Sequence, residues 1–225
     1  MKLLSKSNAK LVKGEKLGVL TFGLSLAPYN LSGVNLCPYA SNGCADTCLF
    51  TAGHGAFSNV KKARIAKAKF FNTDKPAFFA QLEKDIQSAI KQANKKSLRL
   101  AIRLNVLSDI SWEKFGIIEK FPSVQFYDYT KNPFRMADYL AGKLPKNYQL
   151  TFSRSESNQI EVEKILALGG NVAIVFNKLP KEYQGKKVID GDISDARFKD
   201  RKGVIVGLKA KGKAKKDTSG FVAKI

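Results

Sequence analysis

A single α/β domain, built as a partial (βα) TIM-like barrel of about six or seven parallel strands, is the fold class the sequence predicts. Short apolar runs alternate with amphipathic stretches along all 225 residues. Strand and helix signals follow one another in succession, which calls for parallel strands joined by right-handed crossovers. No break in composition marks a second domain, so residues 1–225 are read as one unit. A chain of this size buries roughly 70% of its unfolded surface, so a core forms without disulfides or a structural metal.

The first strand spans 18–27 and stops at Pro28. An irregular stretch at 29–55, rich in Gly, Ser, Asn and Pro, follows it and carries all three cysteines. A run of that length without periodicity reads as a functional loop. Ser58 is placed to cap a helix over 59–71. Phe78, Phe79, Leu82, Ile86 and Ile90 recur at helical spacing within 75–95. Residues 97–106 alternate as a strand, with Leu98, Leu100, Ile102 and Leu104 opposite Arg99, Ala101, Arg103 and Asn105.

A helix over 111–120, a strand over 124–130, a helix over 133–140, a strand over 148–155 and a helix over 159–168 come next, the last closed by Gly169 and Gly170. Strands at 171–177, 187–190 and 204–208 complete the series. In a barrel the chemistry sits where strands run into the following loops. One polar mouth is therefore expected from Ser25, Asn105, Ser108, Asp109, Asp128, Thr130, Lys131, Ser153, Arg154, Ser155, Asn177, Asp190, Asp192 and Lys209, about half of them serving only as turn and cap residues.

Composition narrows the classes of function. Apolar residues at 44% and charged residues at 26% describe a globular domain. The longest apolar runs are too short to span a bilayer, so no membrane partner is expected. Met1, Lys2, Leu3 and Leu4 hint at a signal peptide, but Ser5, Lys6, Ser7, Asn8, Ala9 and Lys10 interrupt it. A cytoplasmic location follows as an expectation. Three cysteines in such a compartment argue against a disulfide framework and for a metal or a reactive thiol.

Those cysteines read C-x6-C-x3-C at Cys37, Cys44 and Cys48. Pro38 and Gly43 let the loop curl so that three thiolates face one centre. Thiolates favour zinc or the irons of an iron–sulfur cluster. With three ligands, a four-iron cluster keeps one iron open to a substrate. Zinc is the rival, with His54 as a fourth ligand, although the spacing is wider than zinc knuckles use.

Net charge is +20, from 39 Lys and Arg against 19 Asp and Glu, so nucleic acid or another polyanion is the first partner expected. The excess falls in two runs. Lys61, Lys62, Arg64, Lys67 and Lys69 share the helix after the cysteine loop. Lys209, Lys211, Lys213, Lys215 and Lys216 open a basic C-terminal segment, 209–225, where a continued strand would make a lysine ladder for phosphates. Trp112, Tyr127 and Tyr129 are candidates for stacking bases or for core packing.

The cysteine loop after a first barrel strand resembles the radical S-adenosylmethionine (SAM) superfamily. The stretches 35–48 (NLCPYASNGCADTC), 103–113 (RLNVLSDISWE) and 126–131 (FYDYTK) resemble, more closely and over nearly the whole chain, a family of poorly characterised bacteriophage proteins with the same loop. The resemblance implies a [4Fe-4S] cluster on Cys37, Cys44 and Cys48, SAM at the open iron, an electron donor, and a location in the host cytoplasm. It implies radical chemistry on a phosphate-bearing or macromolecular substrate. The alternative is an iron–sulfur or zinc module that binds nucleic acid or a virion without SAM chemistry. The superfamily's C-x3-C-x2-C spacing is lengthened here, and its Gly-Gly-Glu is absent. Asn105, Ser108 and Asp109 stand in that place and, with Ser153, are the candidate cofactor-binding residues.

Overall fold

The computed structural model describes residues 1–6 and 13–225. Its strands form one nine-stranded sheet in the order β1-β2-β3-β4-β5-β6-β9-β8-β7. The chain starts with β1 (Leu4–Ser5), which pairs antiparallel with β2 (Val19–Leu24). The helices α1 (Asn42–Asp46), α2 (Ser58–Thr73) and α3 (Lys75–Lys95) lead to β3 (Arg99–Arg103). Then come β4 (Gln125–Thr130), α4 (Pro133–Leu140), β5 (Tyr148–Ser153), α5 (Gln159–Ala167) and β6 (Val172–Phe176). A hairpin of β7 (Glu182–Tyr183) and β8 (Lys186–Asp190) precedes β9 (Ile205–Lys209).

Strands β2 to β6 pair in parallel in chain order, and β9 and β8 extend the parallel run to seven strands. The expectation of a barrel is corrected: the sheet is open. Short antiparallel strands β1 and β7 occupy its two edges, and no pairing among the described residues joins them. From β6 to β9 the chain supplies a hairpin and a 3-10 turn instead of crossover helices, so β9 inserts between β6 and β8. The turn of that hairpin, Gln184 (φ 49°) and Gly185 (φ 70°), has the two positive φ values of a two-residue type I′ connection.

The helix-bearing face holds the main core. Leu20, Phe22, Leu100, Ile102, Phe126, Leu150, Phe152, Val172 and Ile174 meet Phe78, Leu82 and Ile86 of α3, Met136 of α4 and Val162 of α5. Each such side chain contributes about 1.5–3 kcal/mol relative to an exposed one. Asp85 interrupts the apolar face of α3 for a structural reason. Its Oδ2 accepts the backbone N–H groups of Leu3 (2.6 Å) and Leu4 (3.0 Å), while Lys67 Nζ of α2 donates to Leu3 O at 2.8 Å, so two helices clamp β1. Residues 7–10, part of the interruption expected after Leu4, lie outside the described residues.

The opposite face carries small and polar residues, and a strap after β8 covers it. Asp195 receives Arg103 Nη1 at 3.0 Å and Tyr127 OH at 3.0 Å, and Phe198 packs on Tyr127 with ring centroids 5.6 Å apart. Both faces of β3 are therefore covered.

Three local expectations change. The helix expected over 111–120 is a 3-10 turn, Trp112–Phe115, which ends at Gly116 (φ 69°) because buried Trp112 is pulled into an aromatic cluster with Phe71, Phe78 and Phe79. Ser58 is the first residue of α2, and the capping position falls to Phe57, which offers no side-chain acceptor. The lysine ladder does not form. β9 ends at Lys209, Lys211 pairs with Asp192 at 2.7 Å, and Gly212 (φ 56°) starts a 3-10 turn, Gly212–Lys216.

Candidate functional site

The loops after β2, β3, β4 and β5 leave the same edge of the sheet, the C-terminal edge of its parallel strands, and meet around the cysteines. Cys37 Sγ accepts the Tyr29 N–H (3.4 Å) and donates to Leu107 O (3.4 Å), which ties the cysteine loop to the loop after β3. The Asp109 N–H donates to Leu36 O at 2.8 Å, a second tie between the same loops. Lys131, just after β4, lies beside Cys44, and its backbone N–H donates to Asp109 Oδ2 at 2.8 Å. After β5, Glu156 receives Ser41 Oγ (2.8 Å) and the Gly43 N–H (2.7 Å).

Ser41 caps α1, the single helical turn that presents Cys44, through a 3.2 Å contact with the Cys44 N–H. The C-terminal segment closes over this turn. A Cβ on Gly43 would lie 2.9 Å from both Glu156 Oε1 and Phe221 Cβ, and closer still to Ser219 Oγ. Gly43→Ala is therefore expected to cost about 1–3 kcal/mol through overpacking. Thermal unfolding checks this; Ser219→Gly in the same background should restore part of the loss.

All three cysteines are free thiols of intermediate burial. Burial pushes the Cys37 thiol up to about 12, with Asp109 and the other two cysteines adding to the rise against the opposing Tyr29 N–H. Burial likewise raises Cys48, with Cys44 adding to the rise and Lys131 and Arg64 opposing it. At Lys131 burial lowers the pKa, but Cys44, Asp109 and Cys37 together outweigh it and the group is raised. The thiols thus act on one another and on a shared cation. Among the described residues, however, no three Cys, His, Asp or Glu side chains are gathered to hold one metal ion. His54 is exposed, its ring 5.4 Å from that of Phe57.

The remaining candidate residues divide. Asn105 is buried and spent on structure: Oδ1 accepts Ser108 Oγ (2.9 Å), the Ile110 N–H (3.0 Å) and Trp112 Nε1 (2.9 Å), and Nδ2 donates to Ile110 O (2.8 Å). Asp109 holds the Lys131 N–H through Oδ2 and Arg135 through Oδ1 (3.3 Å). A ligand addressing Asn105, Ser108 or Asp109 must compete with these bonds. Ser153 ends β5 on the polar face, and its carbonyl receives Asn158 Nδ2. Arg154 Nη1 anchors the C-terminal segment at Gly220 O (2.7 Å). Asp190 and Asp192 belong to the β8 and strap side: Asp190 Oδ1 accepts the Asp192 N–H, and Asp192 takes the Lys209 N–H and Lys211. Asn177 holds the chain end at Ile225. Trp112 and Tyr127 are fully buried, so neither stacks on a base.

Beneath the loops lies a charge network in which Asp128 and Asp109 were expected at the mouth but Arg135, Glu113 and Tyr148 were not. Asp128 receives the Asn105 N–H at 2.6 Å and Tyr148 OH at 2.7 Å. Arg135 of α4, 4% exposed, donates to Tyr148 OH, to Glu113 through Nε (2.9 Å) and Nη2 (2.9 Å), and to Asp109. Burial pushes Asp128 up to about 7, held back by Arg135, the Asn105 N–H and Tyr148. Its ordinary value near 3.9 is recovered on unfolding, so the folded protein binds the extra proton between about pH 4 and pH 7. The Asp128 contribution to stability is therefore full below about pH 4 and is lost as pH rises through about 7. The difference in unfolding free energy between wild type and Asp128→Asn should shift against the wild type across that window; a pH-independent difference would contradict the assignment.

Fold and site together define a mostly parallel α/β protein with a three-thiol loop cluster at the C-terminal edge of its sheet. The chain belongs to the Gene product 88 family, whose model matches residues 2–225. No curated protein and no solved structure matches it. Among the described residues no helix is long and apolar enough to cross a membrane.

Proposed function

We propose that the chain is an iron–sulfur protein of radical-SAM type that carries a [4Fe-4S] cluster on Cys37, Cys44 and Cys48 and acts on a phosphate-bearing or macromolecular substrate. One observation carries the reading: three free thiols on one loop, acting on each other electrostatically, sit where the loops after β2 to β5 meet, beside the partly buried cation Lys131. The chemistry of this donor set suits iron and sulfide. Around one zinc, at about 2.3 Å from each sulfur, thiolates crowd within roughly 4 Å of one another. A cluster takes its cysteines on different irons and so accepts wider spacing. The absence of a single-ion donor set among the described residues, and the exposed His54, favour the cluster over zinc.

When bound, the cluster supplies one-electron chemistry. The chain's own part is to hold the thiols, to place Lys131 beside Cys44, and to cover α1 with residues 219–221. Because burial holds Cys37 protonated, its binding of iron would release that proton to solvent as the thiolate becomes the ligand. A second reading, an iron–sulfur module without SAM chemistry, is favoured by the full engagement of Asn105 and Asp109 in the protein's own bonds. Anaerobic preparation with iron and sulfide analysis, followed by SAM addition and assay for 5'-deoxyadenosine, separates them. Iron with 5'-deoxyadenosine supports the enzyme; iron without it supports the module; a colourless, zinc-loaded protein overturns both.

A further inference from the structure

Both basic runs end at the same loop. The 3-10 turn Gly212–Lys216 packs on the turn Leu49–Thr51 that follows Cys48, with room for a Cβ at Gly212 already taken by Ala52 at 2.8 Å. From the other side, the turn Gly53–Ala56 packs on α2, which carries Lys61 and Lys62 as its fourth and fifth residues. The cysteine loop is thus flanked by Lys213, Lys215 and Lys216 on one side and by Lys61 and Lys62 on the other. Glu156 and Asp109 reach the cysteine loop from the loops after β5 and β3, but the basic segments themselves carry few carboxylates. Asp46 is the single carboxylate in the sequence from 29 to 73, and Asp217 is the single one from 202 to 225. Asp217 is occupied by Ser219 and by the Val222 N–H.

The start of α2 adds to the imbalance. Its first turn contains no acidic residue, its capping position has no side-chain acceptor, and Lys61 stands at the end of that turn, where the helix dipole disfavours a cation. An arriving phosphate relieves that arrangement. The loop and the residue that ends it expose flat and apolar side chains: Tyr29, Tyr39, Leu49 and Phe57 are all at least 39% exposed. Phosphates of any nucleic acid satisfy the lysines, but rings gain energy only from bases whose faces are free. A duplex hides those faces.

We infer that single-stranded nucleic acid is the partner of the cysteine loop, its phosphates on the lysines of Gly212–Lys216 and on Lys61 and Lys62 near the start of α2, and its unstacked bases on Tyr39 and Phe57. This deepens the proposal above by naming the substrate class, and it rests on the cysteine loop being the functional site. The buried rings Trp112 and Tyr127 take no part.

The test is fluorescence anisotropy with a labelled single-stranded DNA of about 20 nucleotides, its RNA counterpart and the DNA duplex, over a salt series. Binding of a single strand, tighter than the duplex, is expected. Lys213→Gln, Lys215→Gln and Lys216→Gln combined should flatten the log affinity against log salt slope by about 2, at about 0.7 per phosphate contact. Lys61→Gln with Lys62→Gln should weaken binding separately. Phe57→Ala should weaken it about fivefold or more with the slope unchanged. Lys91→Gln with Lys95→Gln, near the end of α3 and so at the other edge of the sheet, should leave it unaltered.

Equal loss in that control, preference for the duplex, or binding to anionic lipid vesicles without binding to oligonucleotide would each overturn the inference. Iron content is measured on the same samples. Iron-loaded protein that fails to bind a single strand defeats this inference alone; binding by a chain that takes up no iron defeats the cluster alone.

Discussion

Replacing any one of Cys37, Cys44 and Cys48 by serine is expected to remove most of the iron from anaerobically loaded protein while leaving the fold in place. Two thiolates seldom retain a cluster, and the loop holds no fourth cysteine to substitute. Serine preserves size and keeps a hydrogen-bonding atom near the Tyr29 N–H and Leu107 O, so the Cys37 variant keeps its ties to the loop after β3. Iron and sulfide assays give the occupancy, and the unfolding midpoint of the metal-free forms confirms that the chain still folds. A folded variant with full iron content would remove that cysteine from the ligand set.

Arg135→Met should produce the largest loss of stability of any single polar substitution. Arg135 is buried, and Glu113, Asp109 and Tyr148 all depend on its donors. Methionine fills the space but leaves Glu113 and Asp109, with side chains 10% and 12% exposed, without their cation. Breaking one partner of a buried pair costs about 3–5 kcal/mol. For a chain of this size each kcal/mol lowers the midpoint by about 2–4 °C, so a fall of roughly 6–20 °C is expected. The loops after β3 and β4 share Asp109, so iron retention should fall as well. A variant within about 1 kcal/mol of wild type would show that the network is worth little.

The elements that periodicity marks strongly were legible in sequence. α3 appears over 75–95 as its apolar spacing implies, and the run of β2 to β6 follows from alternating strand and helix signals. The edges of the sheet were not legible, because nothing local records where β9 pairs or that β1 and β7 occupy them; the expected partial barrel is an open sheet. The segment 111–120 carries helical spacing, yet burial of Trp112 against Asn105 and the phenylalanines decides its shape.

The site divides along the same line. Cys37, Cys44, Cys48, Asp109 and Lys131 meet because each lies on a loop that leaves the C-terminal end of a parallel strand, a rule that reads directly from sequence. Glu156 was missed although it lies just beyond Ser155; its signal was a lone carboxylate after β5 with no helix periodicity around it. Arg135 was missed because an arginine in the first turn of a short amphipathic helix reads as solvated, while its burial depends on Glu113 from another loop. The C-terminal lysines were found but misplaced, since the strand that would have aligned them ends at Lys209.

Electron paramagnetic resonance of the anaerobically loaded, chemically reduced protein, with and without SAM, tests the cysteine loop most directly. A reduced-cluster spectrum that disappears in the triple cysteine-to-serine variant is predicted, with its shape changed by SAM if the open iron takes that ligand. A folded, reconstituted wild-type chain that shows no cluster spectrum would contradict the iron–sulfur assignment.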